Sequence, residues 1–236
     1  KNTTDSDGSS AVYVSEGGKV ADTTTGTIDL GTINQNRVAY YINGKDSTLA
    51  GTDIGKVTGY GVGVYLEGSN TKYTTIGTAK LDSTSPKLHY KNSIYGTSGN
   101  GIIGLFLSGS TEIKNYTNGI IVGDTIPEDP NITGDIKKYA IGIYADKQGV
   151  TGSPYQINTS IKAGKEGVGI FSDNNSVIDY KGHIEVGNGA VPSREDDVTA
   201  GIGIYITKST GGNKGEVKLI GSKTDTSIME QVELQL

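Results

Sequence analysis

Two acidic clusters stand beside prolines in this chain: Glu128-Asp129-Pro130 and Pro192-Ser193-Arg194-Glu195-Asp196-Asp197. Paired carboxylates are what glycan-cleaving enzymes use, one as general acid and the other as base or nucleophile. Beside a proline in a turn, the same residues read as solvated loop groups. Asp179, His183 and Glu185 fall on strand-like segments and offer a second acid/base set, against the plainer reading of a wet strand face. The other histidine is His89, far away in sequence, and no His-x-x-x-His or Ser/His/Asp arrangement is present. Asp5-Ser6-Asp7-Gly8 has the opening of a calcium loop without its later glutamate. With no Cys in the chain, disulfides and thiolate metal sites are excluded. Gly61-Val62-Gly63 and Gly201-Ile202-Gly203 lack the third glycine and the helix of a phosphate cradle, and read as close-packing positions beside an aromatic column. Asn115-Tyr116-Thr117, Asn131-Ile132-Thr133 and Asn158-Thr159-Ser160 match a glycosylation acceptor, which an Asn/Thr-rich chain produces by chance. The residues therefore assign no catalytic group, cofactor or metal ligand.

The chain organises its aromatic residues instead. Gly201-Ile202-Gly203-Ile204-Tyr205-Ile206 recurs as Gly61-Val62-Gly63-Val64-Tyr65-Leu66, Ile141-Gly142-Ile143-Tyr144-Ala145 and Gly167-Val168-Gly169-Ile170-Phe171-Ser172. Gly101-Ile102-Ile103-Gly104-Leu105-Phe106-Leu107 is a looser copy with one extra residue, and Val12-Tyr13-Val14 and Val38-Ala39-Tyr40-Tyr41-Ile42 are weaker ones. Side chains alternate faces along a strand. One face would carry aliphatics such as Ile202, Ile204 and Ile206, and the other the glycines with a column of Tyr13, Tyr41, Tyr65, Phe106, Tyr144, Phe171 and Tyr205. Each strand alone buries too few aliphatic groups to order its backbone. Stacking identical strands about 4.8 Å apart closes a continuous core.

Two further patterns separate successive copies. A small-x-Ile-x-aliphatic-Gly segment appears as Gly26–Gly31, Asn118–Gly123, Ser160–Gly164, Gly182–Gly187 and Glu216–Gly221. A short strand precedes it in Thr111–Tyr116 and Ser176–Tyr180. Strand, turn, strand, turn, strand, turn is the layout of a parallel β-helix. The aromatic positions are 28, 24, 41, 38, 27 and 34 residues apart, and insertions in a solenoid fall in its turns. All five prolines lie between the motifs, as they must if they cannot donate into a ladder. Segments 82–92, 124–136, 146–156 and 188–198 thus read as loop excursions. The expected organisation is a polar, frayed segment at 1–10, repeats over 11–221, and a last coil or tail at 222–236.

The composition agrees. The chain of 236 residues is rich in Gly (36) and takes its aromatics almost wholly from Tyr (14, with 2 Phe and no Trp). Such a chain avoids helix and favours strands with tight turns. A net charge of −5 argues against nucleic acid or an anionic membrane as a main partner. No apolar run approaches the ~20 residues of a membrane helix, and no signal peptide pattern is seen. The chain reads as a piece of a longer protein.

The run Gly167-Val168-Gly169-Ile170-Phe171, Asn174-Asn175-Ser176-Val177-Ile178 and Gly182-His183-Ile184-Glu185-Val186-Gly187 resembles the passenger repeat of large bacterial autotransporters. It is most similar to the giant fusobacterial outer-membrane adhesins, the RadD-like group, over about residues 11–221. The resemblance implies a surface-exposed passenger held by a C-terminal outer-membrane β-barrel missing here, attaching to proteins or glycans of other bacteria or host cells. It carries over no catalytic residue. The expectation is an all-β, right-handed parallel β-helix of about seven coils with loop insertions, monomeric and not an enzyme. A polysaccharide-cleaving β-helix and a purely structural stalk are the alternatives. If ligand is bound within the chain, the candidates are the rings Tyr65, Phe106, Tyr144, Phe171 and Tyr205 and the loop residues Glu128, Asp129, Arg194 and Asp196.

Overall fold

A computed structural model describes residues 9–22, 28–30, 37–44, 47–51, 56–58, 61–68, 79–83, 88–91, 103–109, 111–114, 119–125, 131, 139–146, 154–173, 176–187, 201–207 and 216–219. The described residues are all-β, without helix. The strands come in threes. The first triplet is β1 (Ser10–Val14), β2 (Lys19–Asp22) and β3 (Ile28–Asp29), and the second is β4 (Val38–Asn43), β5 (Thr48–Gly51) and β6 (Lys56–Thr58). Next come β7 (Val62–Glu67), β8 (Ala79–Ser83) and β9 (Leu88–Lys91), then β10 (Ile103–Ser108), β11 (Thr111–Lys114) and β12 (Ile120–Ile121). They are followed by β13 (Ile141–Ala145), β14 (Tyr155–Ile157) and β15 (Ile161–Lys165), and by β16 (Val168–Ser172), β17 (Val177–Tyr180) and β18 (Ile184–Gly187). Two strands, β19 (Ile202–Ile206) and β20 (Glu216–Leu219), close the order.

With one interruption, described below, strands pair in parallel with the strand three places along the chain. The first strands of the triplets build a seven-stranded sheet in the order β1-β4-β7-β10-β13-β16-β19. The third strands build a six-stranded sheet, β3 to β18. The middle strands form two separate sheets, β2-β5-β8-β11 and β14-β17-β20. The expected repeat of three parallel strands is therefore present, consistent with a β-solenoid.

The aliphatic columns meet in one interior. Val64, Leu105, Ile143 and Ile170 occupy one level and Ile42, Leu66, Leu107 and Ala145 the next, all essentially inaccessible. Leu49 joins them from a middle strand and Ile120 and Ile161 from the third strands. Burying a side chain of this size contributes about 1.5–3 kcal/mol, so each added triplet brings its own few kcal/mol of apolar burial.

Three expectations are corrected. The strand alternation does not run through the glycine. A Cβ placed on Gly104 would lie 2.6 Å from Ile120 Cγ2, and at Gly142 and Gly169 it would meet Ile161 and Ile184 of the third strands. These glycines face the interior, as the following aliphatic does, and the paired register passes from Ile103↔Ile141 to Leu105↔Ile143. They are glycine because the isoleucine of another sheet fills the space, not to make room beside the rings. Segment 82–92 is not an excursion: Asp82 and Ser83 end β8, and Leu88–Lys91 is β9, paired with β6 and β12. Finally, Glu216–Leu219 pairs with β17 and not with β18, so it repeats the middle strand.

Candidate functional site: an aromatic column on the seven-stranded sheet

The register of the seven-stranded sheet puts every aromatic of the repeat on the one before it: Tyr13↔Tyr41, Tyr41↔Tyr65, Tyr65↔Phe106, Phe106↔Tyr144, Tyr144↔Phe171 and Phe171↔Tyr205. The expected column forms complete. Ring centroids are 5.2 Å apart at Tyr13–Tyr41, 4.6 Å at Tyr65–Phe106 and 4.8 or 4.9 Å at the other four contacts. Tyr13–Tyr41 and Tyr65–Phe106 meet edge to face, and the remaining four pairs stack. Strand spacing sets this distance, and each ring pair adds about 0.5–1.5 kcal/mol beyond burial.

Two residues beyond the ring, the same face carries Asn43, Glu67, Ser108, Asp146, Asp173 and Thr207. The Tyr41 hydroxyl donates to Glu67 on the next strand, and Asn43 Nδ2 reaches the same carboxylate at 3.3 Å. The Tyr144 hydroxyl donates to Asp173 at 3.3 Å. Burial is the first cause of the raised phenol pKa values in the column. It acts with the Glu67 bond and charge at Tyr41, and with the charges of Glu67 and Asp146 at Tyr65. At Tyr144, burial, the charges of Asp173 and Asp146 and the Asp173 bond push the value up to about 12.

A sugar that stacks on an aromatic needs a free ring face. From Tyr41 to Phe171 each ring has a ring neighbour on both sides, which leaves outward edges and hydroxyls. Only the terminal rings are exposed, Tyr13 at 55% and Tyr205 at 37%. The column's geometry is that of an internal brace with a polar margin.

The other chemical candidates separate. Asp179 lies on β17 and accepts from Gln156 at 2.7 Å, whereas Glu185 lies on β18, in a different sheet, and pairs with Lys162 at 2.6 Å. That contact holds the Glu185 carboxyl below its ordinary value. His183 is exposed beside β18. Glu128, Asp129, Arg194, Asp196 and the Asp5–Gly8 run lie outside the described residues. Among the described residues no group of three or more His, Cys, Asp or Glu is placed to hold a metal ion.

Sequence reasoning missed a set of internal polar pegs. The buried Tyr155 hydroxyl donates to Gly109 O at 3.0 Å, and the buried Tyr180 hydroxyl donates to Thr159 O at 2.9 Å. Ser172 Oγ and Ser176 Oγ meet at 2.8 Å, and Ser176 also donates to Ala145 O at 3.1 Å. The two phenols each give a partner to a carbonyl between strands, and the serine pair ties the start of β17 to the ends of β16 and β13. The available signal was that Tyr155 and Tyr180 stand at aliphatic positions of a strand, where a buried phenol needs a partner.

Comparison with family models finds no match for this chain, and comparisons with curated proteins and with solved structures find none either.

Proposed function

We propose that this chain is a passenger segment of a surface-exposed bacterial adhesin of the autotransporter type: a right-handed parallel β-helix of about seven coils that holds recognition loops away from the cell. The observation that carries this reading is the continuity of the parallel seven-stranded sheet and its ring column, with sequence of variable length admitted only between strands. At about 4.8 Å per coil the stack is a rod of roughly 30–40 Å. A rigid scaffold commonly carries recognition on its loops, so segments 124–136 and 188–198, with Glu128, Asp129, Arg194 and Asp196, are the proposed contacts for a protein or glycan of another cell.

The structural stalk is a second reading, favoured by the ring column, in which every ring from Tyr41 to Phe171 has a ring neighbour on both sides. Binding of the purified chain to glycan arrays and to bacterial and host cell surfaces, with released sugar assayed alongside, separates the readings. Saturable binding that is lost when 124–136 and 188–198 are replaced by short turns is the expected result. Binding that survives both replacements rules out loop recognition. Sugar release replaces adhesion with catalysis, and silence in both assays leaves the stalk.

A further inference from the structure

Tyrosine is the side chain that this chain offers to one-electron oxidation: it has 14 Tyr, no Trp and no Cys. Where two phenols touch, oxidation has a covalent outcome, because tyrosyl radicals couple at the ring carbons beside the hydroxyl. The ring column holds few such contacts. Phe106 and Phe171 flank Tyr144 on both sides, and Phe171 separates it from Tyr205. Along the column, tyrosine meets tyrosine at Tyr13–Tyr41 and at Tyr41–Tyr65. The first contact is edge to face, with centroids 5.2 Å and planes 64° apart, and the second is a stack at 4.8 Å and 12°.

We propose that Tyr41 and Tyr65 form an oxidative cross-link site, at which a peroxide-driven one-electron oxidant joins the two phenols as dityrosine and ties the second triplet to the third. The two residues are paired in the ladder between β4 and β7, so the strand register itself holds the rings together. Both rings are half-buried on the outer face of the sheet, opposite the core-facing Ile42 and Leu66. The Tyr41 hydroxyl already donates to Glu67 at the end of β7. Its proton therefore has a carboxylate acceptor in place as the electron leaves.

Each phenol gives up one electron and its hydroxyl proton. A C–C bond forms between the ring carbons beside the two hydroxyls, and the hydrogen on each joined carbon moves to a phenol oxygen. The two electrons and two protons reduce one hydrogen peroxide to two waters. The chain has no Cys and so no disulfide. A dityrosine here closes residues 42–64 into a loop, and a cross-link of this kind stabilises by restricting the unfolded chain.

Treating the full chain at low concentration with a haem peroxidase and hydrogen peroxide tests this. The expected product keeps the single-chain mass less two hydrogens, fluoresces as dityrosine and yields tryptic peptides 38–45 and 57–72 joined together. Tyr41→Phe and Tyr65→Phe should each abolish the joined pair with circular dichroism unchanged, since the column accepts phenylalanine at Phe106 and Phe171. Tyr144→Phe should leave the yield of the joined pair as it is. The cross-linked chain should melt a few degrees above the untreated one. Absence of the joined peptides overturns the proposal, whether the oxidised tyrosines stay single or link separate chains. So does a joined pair that persists in the folded Tyr65→Phe variant, which would carry the bond on another tyrosine of that peptide.

Discussion

Gly104 and Gly203 occupy the same place in the repeat, yet alanine should act oppositely at the two. At Gly104 the new methyl would sit 2.6 Å from both Ile120 Cγ2 and the Gly142 carbonyl, so Gly104→Ala overpacks the interior and should cost about 1–3 kcal/mol. At Gly203 the position is open, and Gly203→Ala should gain about 0.4–1 kcal/mol by restricting the unfolded chain. Urea titrations of the two variants check this, and equal effects would mean that the glycines do not face the interior. Tyr144→Phe removes only a hydroxyl bonded to Asp173, and the column already accepts Phe106 and Phe171. It should cost about 1 kcal/mol or less. Tyr144→Ala deletes two ring contacts and should cost about 2–4 kcal/mol. The phenols also set a pH limit. Tyr41, Tyr65, Tyr155 and Tyr180 are raised first by burial, and Tyr144 reaches about 12. A group raised on folding stabilises fully below its unfolded value, near 10, and loses that contribution as pH climbs through the folded value. Stability should therefore hold to pH ~10 and fall between about 10 and 12. Absorbance at 295 nm with parallel circular dichroism follows this, and ionisation of every tyrosine near pH 10 with the β signal intact would contradict the burial.

At the scale of elements, the interruption of the middle sheet is the feature with consequences. The outer two sheets run through the fourth and fifth triplets without a break, but β11 and β14 are not joined by a ladder. Pro154 precedes β14, and a proline supplies no backbone donor there. The Tyr155 hydroxyl crosses to Gly109 O instead, and Thr111 Oγ1 is buried without a partner. Amide exchange should therefore be faster in β11 and β14 than in β13 and β16, which are laddered on both sides. Equal protection would place a ladder across the gap. Much of this architecture was legible in the sequence because a parallel stack repeats one environment, so Tyr65, Phe106 and Tyr144 announce one another. The inward glycine was not legible from period-two alternation, because it depends on a residue of another sheet. It is visible in hindsight as a volume exchange. Gly104, Gly142 and Gly169 stand against Ile120, Ile161 and Ile184. The missing β11–β14 ladder and the pairing of β20 were equally out of reach, since Glu216-Val217-Lys218-Leu219 fits either strand pattern of the triplet.

At the scale of the whole molecule, the stack and a closed globule respond differently to shortening. In a solenoid each repeat rests on its neighbours, and stability is approximately a sum of repeat and interface contributions. Here β19 touches the rest of its sheet through β16 and β20 pairs with β17, while Ile143, Leu105 and Leu66 are buried within the earlier triplets. Ending the chain after Gly187 removes β19 and β20 and exposes Ile170 and Phe171. The loss is that of one interface, and Tyr144, Phe106 and Tyr65 keep their ring partners. The shortened chain should retain a far-ultraviolet β signal reduced roughly in proportion to the strands removed. It should melt cooperatively a few degrees lower, as a loss of about 1–3 kcal/mol would produce. Complete loss of structure would require a core shared by all the triplets at once. The same arithmetic bears on the proposed adhesin: if stability is a sum of coils, ending the chain after Gly187 removes β19, β20 and the proposed contact segment 188–198, and any binding through the proposed segment 124–136 should survive it.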